Sequence, residues 1–380
     1  MHPLVGIAGI VLLFVVLWDG FETIVLPRRV TRKVRLTRLF YRATWAPWSA
    51  VARLLPVGRR RESFLSFYGP LSVLLLLSVW AIGLILGFGL LHWAAGSAVM
   101  MSSGTPSFAA DLYLSGTTFF TLGIGDVTPR TALAKVLTVA EAGMGFGFLA
   151  MVIGYLPVIY QAFSRREANI SLLDARAGSP PTAGELLRRH SHDDGMEALR
   201  VLLLEWEHWS AEMLESHLSY PLLAYFRSQH NNQSWLSALT AILDANALVI
   251  AGLEGACERQ AELTFAMARH VVVDLAQIFS KPPRRLIRDR LPPAQLARLR
   301  SYLKDAGLRL REDRAADERL RELRFLYEPY VEALSSALLL PLAPWLAETP
   351  KKDNWETSGW DRALRAQREE FVQAPEEEHF

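Results

Sequence analysis

The sequence predicts an all-α membrane protein: three spanning helices, one short re-entrant helix with an irregular loop, and a helical bundle that lies in water. Three observations predict this. Apolar residues make up half of the 380-residue chain, and the spanning-length apolar runs all fall before residue 164. Each of those three runs exceeds the roughly 20 residues a helix needs to cross the hydrocarbon core. Beyond residue 163, apolar positions recur at helical spacing among charged ones, with almost no strand-like alternation. The formal net charge of +2 conceals a strong local asymmetry, and the single cysteine, Cys257, excludes an internal disulfide.

Residues 1–26 form the first expected membrane helix, apolar from Pro3 to Leu26 except for Asp19 and Glu22 near its end. Its start lacks a basic region, no small-residue cleavage site follows, and arginines come at once, so an uncleaved helix is expected rather than a signal peptide. The linker 27–65 carries Arg28, Arg29, Arg32, Lys33, Arg35, Arg38, Arg42, Arg53, Arg59, Arg60 and Arg61 against one acid, Glu62. Arg29, Arg32, Arg35 and Arg38 recur every third residue, a spacing compatible with a voltage sensor. The aromatics that follow (Phe40, Tyr41, Trp45, Trp48) favour a basic interfacial segment on anionic lipid, as does the lack of enough membrane helices to sheath buried charge. Asp19 and Glu22, beside Trp18, are expected to pair with linker arginines.

The domain 66–163 opens with an outer helix over 69–95, with Trp80 inside it and Trp93 near one interface. The loop from Gly96 to Ser107 has no basic residue, so the positive-inside rule places the linker in the cytoplasm, this loop outside, and everything after Phe163 in the cytoplasm. Residues 108–120 (Phe108, Leu112, Tyr113, Leu114, Phe119 and Phe120 among them) are apolar yet too short to span, and read as a re-entrant pore helix. The run Thr117 to Pro129 follows as Thr-Thr-Phe-Phe-Thr-Leu-Gly-Ile-Gly-Asp-Val-Thr-Pro. Gly-rich backbone at membrane depth is tolerated only where protein buries it or it lines a water-filled path. As a bare turn, Gly-Ile-Gly-Asp would say little; the order helix, loop, spanning helix is what a pore needs. Gly123 and Gly125 permit alternating left- and right-handed backbone, which turns successive carbonyls toward one axis. Such a ring of carbonyls can replace the hydration shell of a monovalent cation. Thr121 offers a carbonyl and a hydroxyl, Leu122 and Ile124 are expected to pack against the helix behind, and Asp126 falls at the outer mouth, where carboxylates concentrate cations.

This segment resembles the pore loop and selectivity filter of the potassium channel superfamily. In the resemblance, Thr121, Leu122, Gly123, Ile124, Gly125 and Asp126 fall on the family's Thr-Val-Gly-Tyr-Gly-Asp. Ile124 replaces the aromatic and loses its hydroxyl hydrogen bond; Phe120 stands where a second threonine is common, and Thr118 keeps the earlier one. The resemblance implies potassium ions at the filter as the bound metal, with no organic cofactor. One loop cannot enclose an axis, so a homotetramer in a bacterial inner (cell) membrane is the expected assembly. Ile124 leaves a weakly selective monovalent cation channel as the alternative, and a non-conducting membrane-anchored helical signalling or scaffold protein as a more distant one.

The inner helix, 131–163, contains Gly143, Gly145, Gly147 and Gly154, followed by Pro157. Small residues permit close packing and lower the cost of bending. In the resemblance Gly145 lies at a gating hinge, and Pro157 is expected to kink the cytoplasmic end; for any single glycine, plain packing is the alternative. Glu141, a carboxylate in an apolar helix, needs a partner. It is expected near Thr117 or Thr118, bracing the pore helix from behind.

Residues 164–348 read as a cytoplasmic all-α domain of four to six helices. Leu199, Leu202, Trp206, Trp209 and Met213 make one stripe; Trp235, Leu239, Ile242 and Leu243 begin another that runs to about Gly255. Further amphipathic stretches cover 256–280, 293–321 and 323–347, and a polar tail fills 349–380. No Gly-rich turn follows a strand in a βαβ pattern, so a nucleotide-binding ring is not expected. His190, His192, Asp193 and Asp194 have metal-ligand chemistry but read as a solvated loop. Arg284, Arg285, Arg288 and Arg290 suggest either an anionic-lipid contact or a solvated helix face. No nucleophile–base pair is legible, so no enzymatic activity is assigned, and no nucleic-acid partner is expected.

Overall fold

The computed structural model describes residues 3–26, 35–96, 99–101, 107–192, 194–230, 232–279, 281–284, 289–347 and 352–356. The chain divides into two compact units, Met1–Ser164 with Ser216–Arg227, and Arg165–Glu215 with Ser228–Phe380. The first contains α1 (Pro3–Gly20) with a π-helical turn (Phe21–Val25), α2 (Leu36–Leu54), α3 (Arg59–Ser66), α4 (Tyr68–Ala94), α5 (Phe108–Phe119) and the first part of α6 (Ala132–Ala177). Two short strands, β1 (Val99–Met101) and β2 (Val127–Pro129), pair antiparallel with Met100 opposite Thr128.

Glycines draw α1 onto α4. A Cβ on Gly9 would lie 2.8 Å from the Gly87 carbonyl oxygen, and one on Gly87 would lie 2.6 Å from Leu13, so only bare backbone permits this approach. At the end of α1 the buried Asp19 carboxylate accepts from Trp80 Nε1 of α4 at 3.0 Å and from the Thr37 amide and hydroxyl of α2. Arg35 stands 3.3 Å from Glu22 and 3.9 Å from Asp19, the arginine pairing the sequence anticipates. Arg28, Arg29, Arg32 and Lys33 lie outside the described residues.

The linker's course follows from its contacts. Thr37 meets Asp19, itself bonded to Trp80, whereas Thr44 bonds Tyr68 and Trp48 stacks on Phe64. Progress along α2 is therefore regress along α4 and α3: α2 runs antiparallel beside them, packed by aromatics. The physical reason is the apolar stripe Leu36, Phe40, Tyr41, which joins the core formed by Val73, Leu76, Leu77 and Trp80.

Residues 216–227, expected in the cytoplasmic domain, cluster with this first unit. A 3₁₀ turn (Pro221–Tyr225) stacks Tyr225 on Tyr41, with ring centroids 5.4 Å apart, and sets it against Trp45 and Tyr68. Phe226 follows, against Phe163 and against Gly69, whose added Cβ would come within 2.8 Å of the ring.

The second unit is all-α: the end of α6, then α7 (Ala183–Arg189), α8 (Gly195–Ser219, to Glu215 in this unit), α9 (Trp235–Gly252), α10 (Glu258–Ile278), α11 (Pro293–Asp305) and α12 (Arg314–Leu338). The predicted stripe Leu199, Leu202, Trp206, Trp209, Met213 is buried throughout. Helix α9 is apolar and long enough to cross a membrane, yet 94% of it is buried inside the protein, against α7, α10 and α12. The amphipathic stretch 293–321 is two pieces. Helix α11 stops at Asp305 because Gly307 adopts φ +85°, and residues 308–311 return to bridge Leu310 to Leu253 before α12 begins.

Two further expectations are corrected here. Arg290 belongs to no surface patch: it reaches Asp244 at 2.6 Å and Glu328 at 3.1 Å, with Tyr327 also bonded to Asp244 and the Trp345 ring beneath the guanidinium. Arg284 bonds Ser336, and Arg285 and Arg288 lie outside the described residues. His190 is buried at the end of α7 with Nδ1 2.7 Å from the Leu186 carbonyl oxygen, and burial lowers its basicity. Among the described residues no group of metal-type ligands forms, and Asp193 lies outside them.

Candidate functional site: the pore loop

The loop begins with a capped helix. Ser107 accepts from the Ala110 amide, and α5 runs to Phe119, with Ala110, Asp111, Leu114, Ser115, Thr118 and Phe119 buried. Its C-terminus tightens through Phe120 N to Gly116 O, Thr121 N to Thr118 O and Leu122 N to Thr117 O, between 2.8 and 3.1 Å. There the helix gives way to alternating handedness: φ is +56° at Thr121, +59° at Gly123 and +82° at Gly125, while Leu122 and Ile124 keep negative φ. Positive φ thus recurs at every second residue from Thr121 to Gly125. The two glycines adopt it without steric cost; Thr121 adopts it against its own preference, which the sequence did not announce.

Residues 120–126 are all exposed. Leu122 and Ile124 are 61% and 59% exposed in the single chain. Phe119, the last residue of α5, is buried against Phe148 of α6, and exposure begins at the next residue. After Asp126 the chain enters β2. Thr117 spends its hydroxyl on the carbonyls of Tyr113 and Leu114 within α5.

Glu141 braces α5 from behind, but through different partners from those expected. Its carboxyl meets Ser115 of α5 and lies 3.5 Å from His92 Nε2 of α4, with all three side chains buried. Neither Thr117 nor Thr118 is involved. Ser115 and His92 were missed because their relation to Glu141 is set by packing across three helices, and no local spacing signals it.

Helix α6 runs unbroken for 46 residues, about 70 Å at roughly 1.5 Å per residue, with Pro157 inside it. The end expected at residue 163 falls within this helix. Gly145 is a contact glycine: a Cβ there would lie 2.0 Å from the Phe119 carbonyl oxygen. Around Gly143 and Gly147 no atom lies within 4 Å of such a Cβ. On another face Leu133, Val136, Val139, Phe146, Leu149 and Ile153 are each more than half exposed, an apolar stripe left bare among the described residues.

These features define a helical membrane protein with a pore-type module: outer helix, re-entrant helix, irregular loop and inner helix. Residues 73–161 match the ion channel family model, a span that contains the whole loop and most of both flanking helices. The chain is also 24% identical over 182 residues to the uncharacterized membrane protein YdjJ of Bacillus subtilis (strain 168), covering 47% of this chain and 52% of that protein. The chain thus spans about half the length of the curated relative it matches. No solved structure matches.

Proposed function

We propose that the chain is a potassium-selective ion channel, active as a homotetramer in a bacterial cell membrane, with the second unit on the cytoplasmic side. The observation that carries this reading is the alternating backbone at Thr121, Gly123 and Gly125 directly beyond a re-entrant helix. Carbonyls of Thr121, Leu122, Gly123, Ile124 and Gly125 from four copies coordinate dehydrated potassium, and Asp126 gathers cations at the mouth. The exposed residues of the loop and the bare apolar stripe on α6 are the surfaces that neighbouring copies and lipid cover. Thr117, Thr118 and Glu141 support the pore helix. Gly143, Gly147 and Pro157 supply the flexible part of α6, and Gly145 serves its close packing. Linker arginines such as Arg42, Arg59 and Arg60, which are exposed, meet anionic headgroups.

The test is reversal potential in bilayers containing the purified full chain. A potassium gradient opposed by sodium should give a reversal near the potassium equilibrium potential, and Gly123→Ala should abolish the current. Equal permeability to the two ions would replace this reading with a weakly selective cation channel; no current at all would leave a membrane-anchored helical protein.

A further inference from the structure

We infer that Glu141 is held as the neutral, protonated acid, and that this proton fixes the seat of the pore helix. Counting hydrogen-bond donors leads to it. The Ser115 hydroxyl lies 2.7 Å from the Ile85 carbonyl oxygen of α4 and also against Glu141 Oε1 of α6. A carbonyl oxygen only accepts, a carboxylate only accepts, and a serine hydroxyl has one proton. With an ionised Glu141, one of these two short oxygen–oxygen contacts would have no proton between its atoms and would be repulsive. A protonated carboxyl removes the conflict. Glu141 donates to Ser115 Oγ, Ser115 donates to Ile85 O, and each short contact contains one proton.

The surroundings agree. Glu141, Ser115 and His92 are 0%, 0% and 1% exposed. The titratable groups on the elements packed here are His92 of α4, at 3.5 Å, and Asp111, one turn before Ser115 on α5 and itself fully buried. A carboxylate in this place would be a buried charge facing one imidazole beyond good hydrogen-bond distance, with a second acid one turn away along α5, an expensive arrangement. The neutral acid adds no buried charge of its own.

The chain Glu141–Ser115–Ile85 ties the inner, re-entrant and outer helices together at one proton. When base removes that proton to solvent, the single Ser115 hydrogen must serve either the carboxylate or Ile85, and α5 loses one of its two anchors. Since α5 carries the loop, alkaline pH should loosen the filter. This consequence rests on the channel reading; the protonation of Glu141 does not.

The experiment uses the full chain in liposomes, as wild type and as Glu141→Gln, whose amide keeps an N–H donor for Ser115 but cannot ionise. The infrared difference spectrum between the two at neutral pH should contain a carboxylic-acid C=O stretch belonging to Glu141, replaced by carboxylate bands as pH rises. Potassium efflux should fall over the same alkaline range in wild type and stay level in E141Q. A neutral-pH spectrum containing only carboxylate bands would overturn the protonation, and identical pH profiles in the two proteins would overturn its link to the filter. If neither protein passes potassium, the channel reading falls and the infrared band alone decides the inference.

Discussion

At the scale of single residues, Gly145 is the position where the pore module tolerates least. An alanine there must place its Cβ 2.0 Å from the Phe119 carbonyl oxygen, deep inside van der Waals contact. The backbone of α5 or α6 must shift, at a cost of about 1–3 kcal/mol or more for overpacking a tight site. Gly147 is the control, since an added Cβ meets nothing within 4 Å. Gly145→Ala should therefore lower the thermal midpoint of the purified protein by several degrees while Gly147→Ala leaves it nearly unchanged; equal midpoints for the two would contradict the close contact. The glycine cluster was visible in the sequence, but its division of labour was not. Which glycine touches α5 depends on where that helix ends, a fact of packing rather than of pattern. The same holds for Glu141. An acid in an apolar helix announced that it needed a partner, yet Ser115 and His92 lie 26 and 49 positions away in the chain, and no local rule reaches that far.

Among the elements, α7 shows how a seven-residue helix is held. Its Thr182 cap accepts from the Glu185 amide, and the Glu185 carboxylate takes Arg188, Arg189 and, at 2.5 Å, the hydroxyl of Tyr302 from α11. The hydrogen bond from Arg188, with help from Tyr302 and Arg189, lowers the Glu185 carboxyl from its ordinary 4.5 to about 2. A depressed carboxylate stabilises the fold fully above its ordinary value and loses that contribution as pH falls from about 4.5 toward 2. Glu185→Gln should thus destabilise the protein near neutral pH, and the gap to wild type should narrow steadily on acidification across that window. Denaturant midpoints followed by tryptophan fluorescence would reveal it, and a gap that widened in acid would contradict the ion pairing. Helix α8 was legible in advance because burial on one face writes itself into the sequence, and α9 because burial nearly all round leaves a long apolar run. Two things were not. The break between α11 and α12 depends on Gly307 in a left-handed turn. The return of Pro221 to Arg227 to the first unit depends on aromatic partners, Tyr41 and Tyr68, that lie far off in the chain.

For the whole molecule, the orientation proposed from the order of apolar runs and the arginine bias can be tested without any current. A fluorescent protein fused after Phe380 should mature in the cytoplasm, whereas alkaline phosphatase fused there should stay inactive; the reverse would invert the topology proposed above. That scheme holds only if α9 remains out of the bilayer, and here the ion network of the second unit acquires another meaning. Helix α9 has the length and hydropathy of a span, with Asp244 at its middle. In the finished protein Asp244 receives Arg290 and Tyr327. While the chain is still being synthesised, with Arg290 not yet made, the same bare acid meets the insertion machinery first. There an aspartate at a helix centre costs about 2.5–3.5 kcal/mol to admit to lipid. The residue that later anchors the bundle would by that cost also weigh against insertion of α9 before its partners emerge.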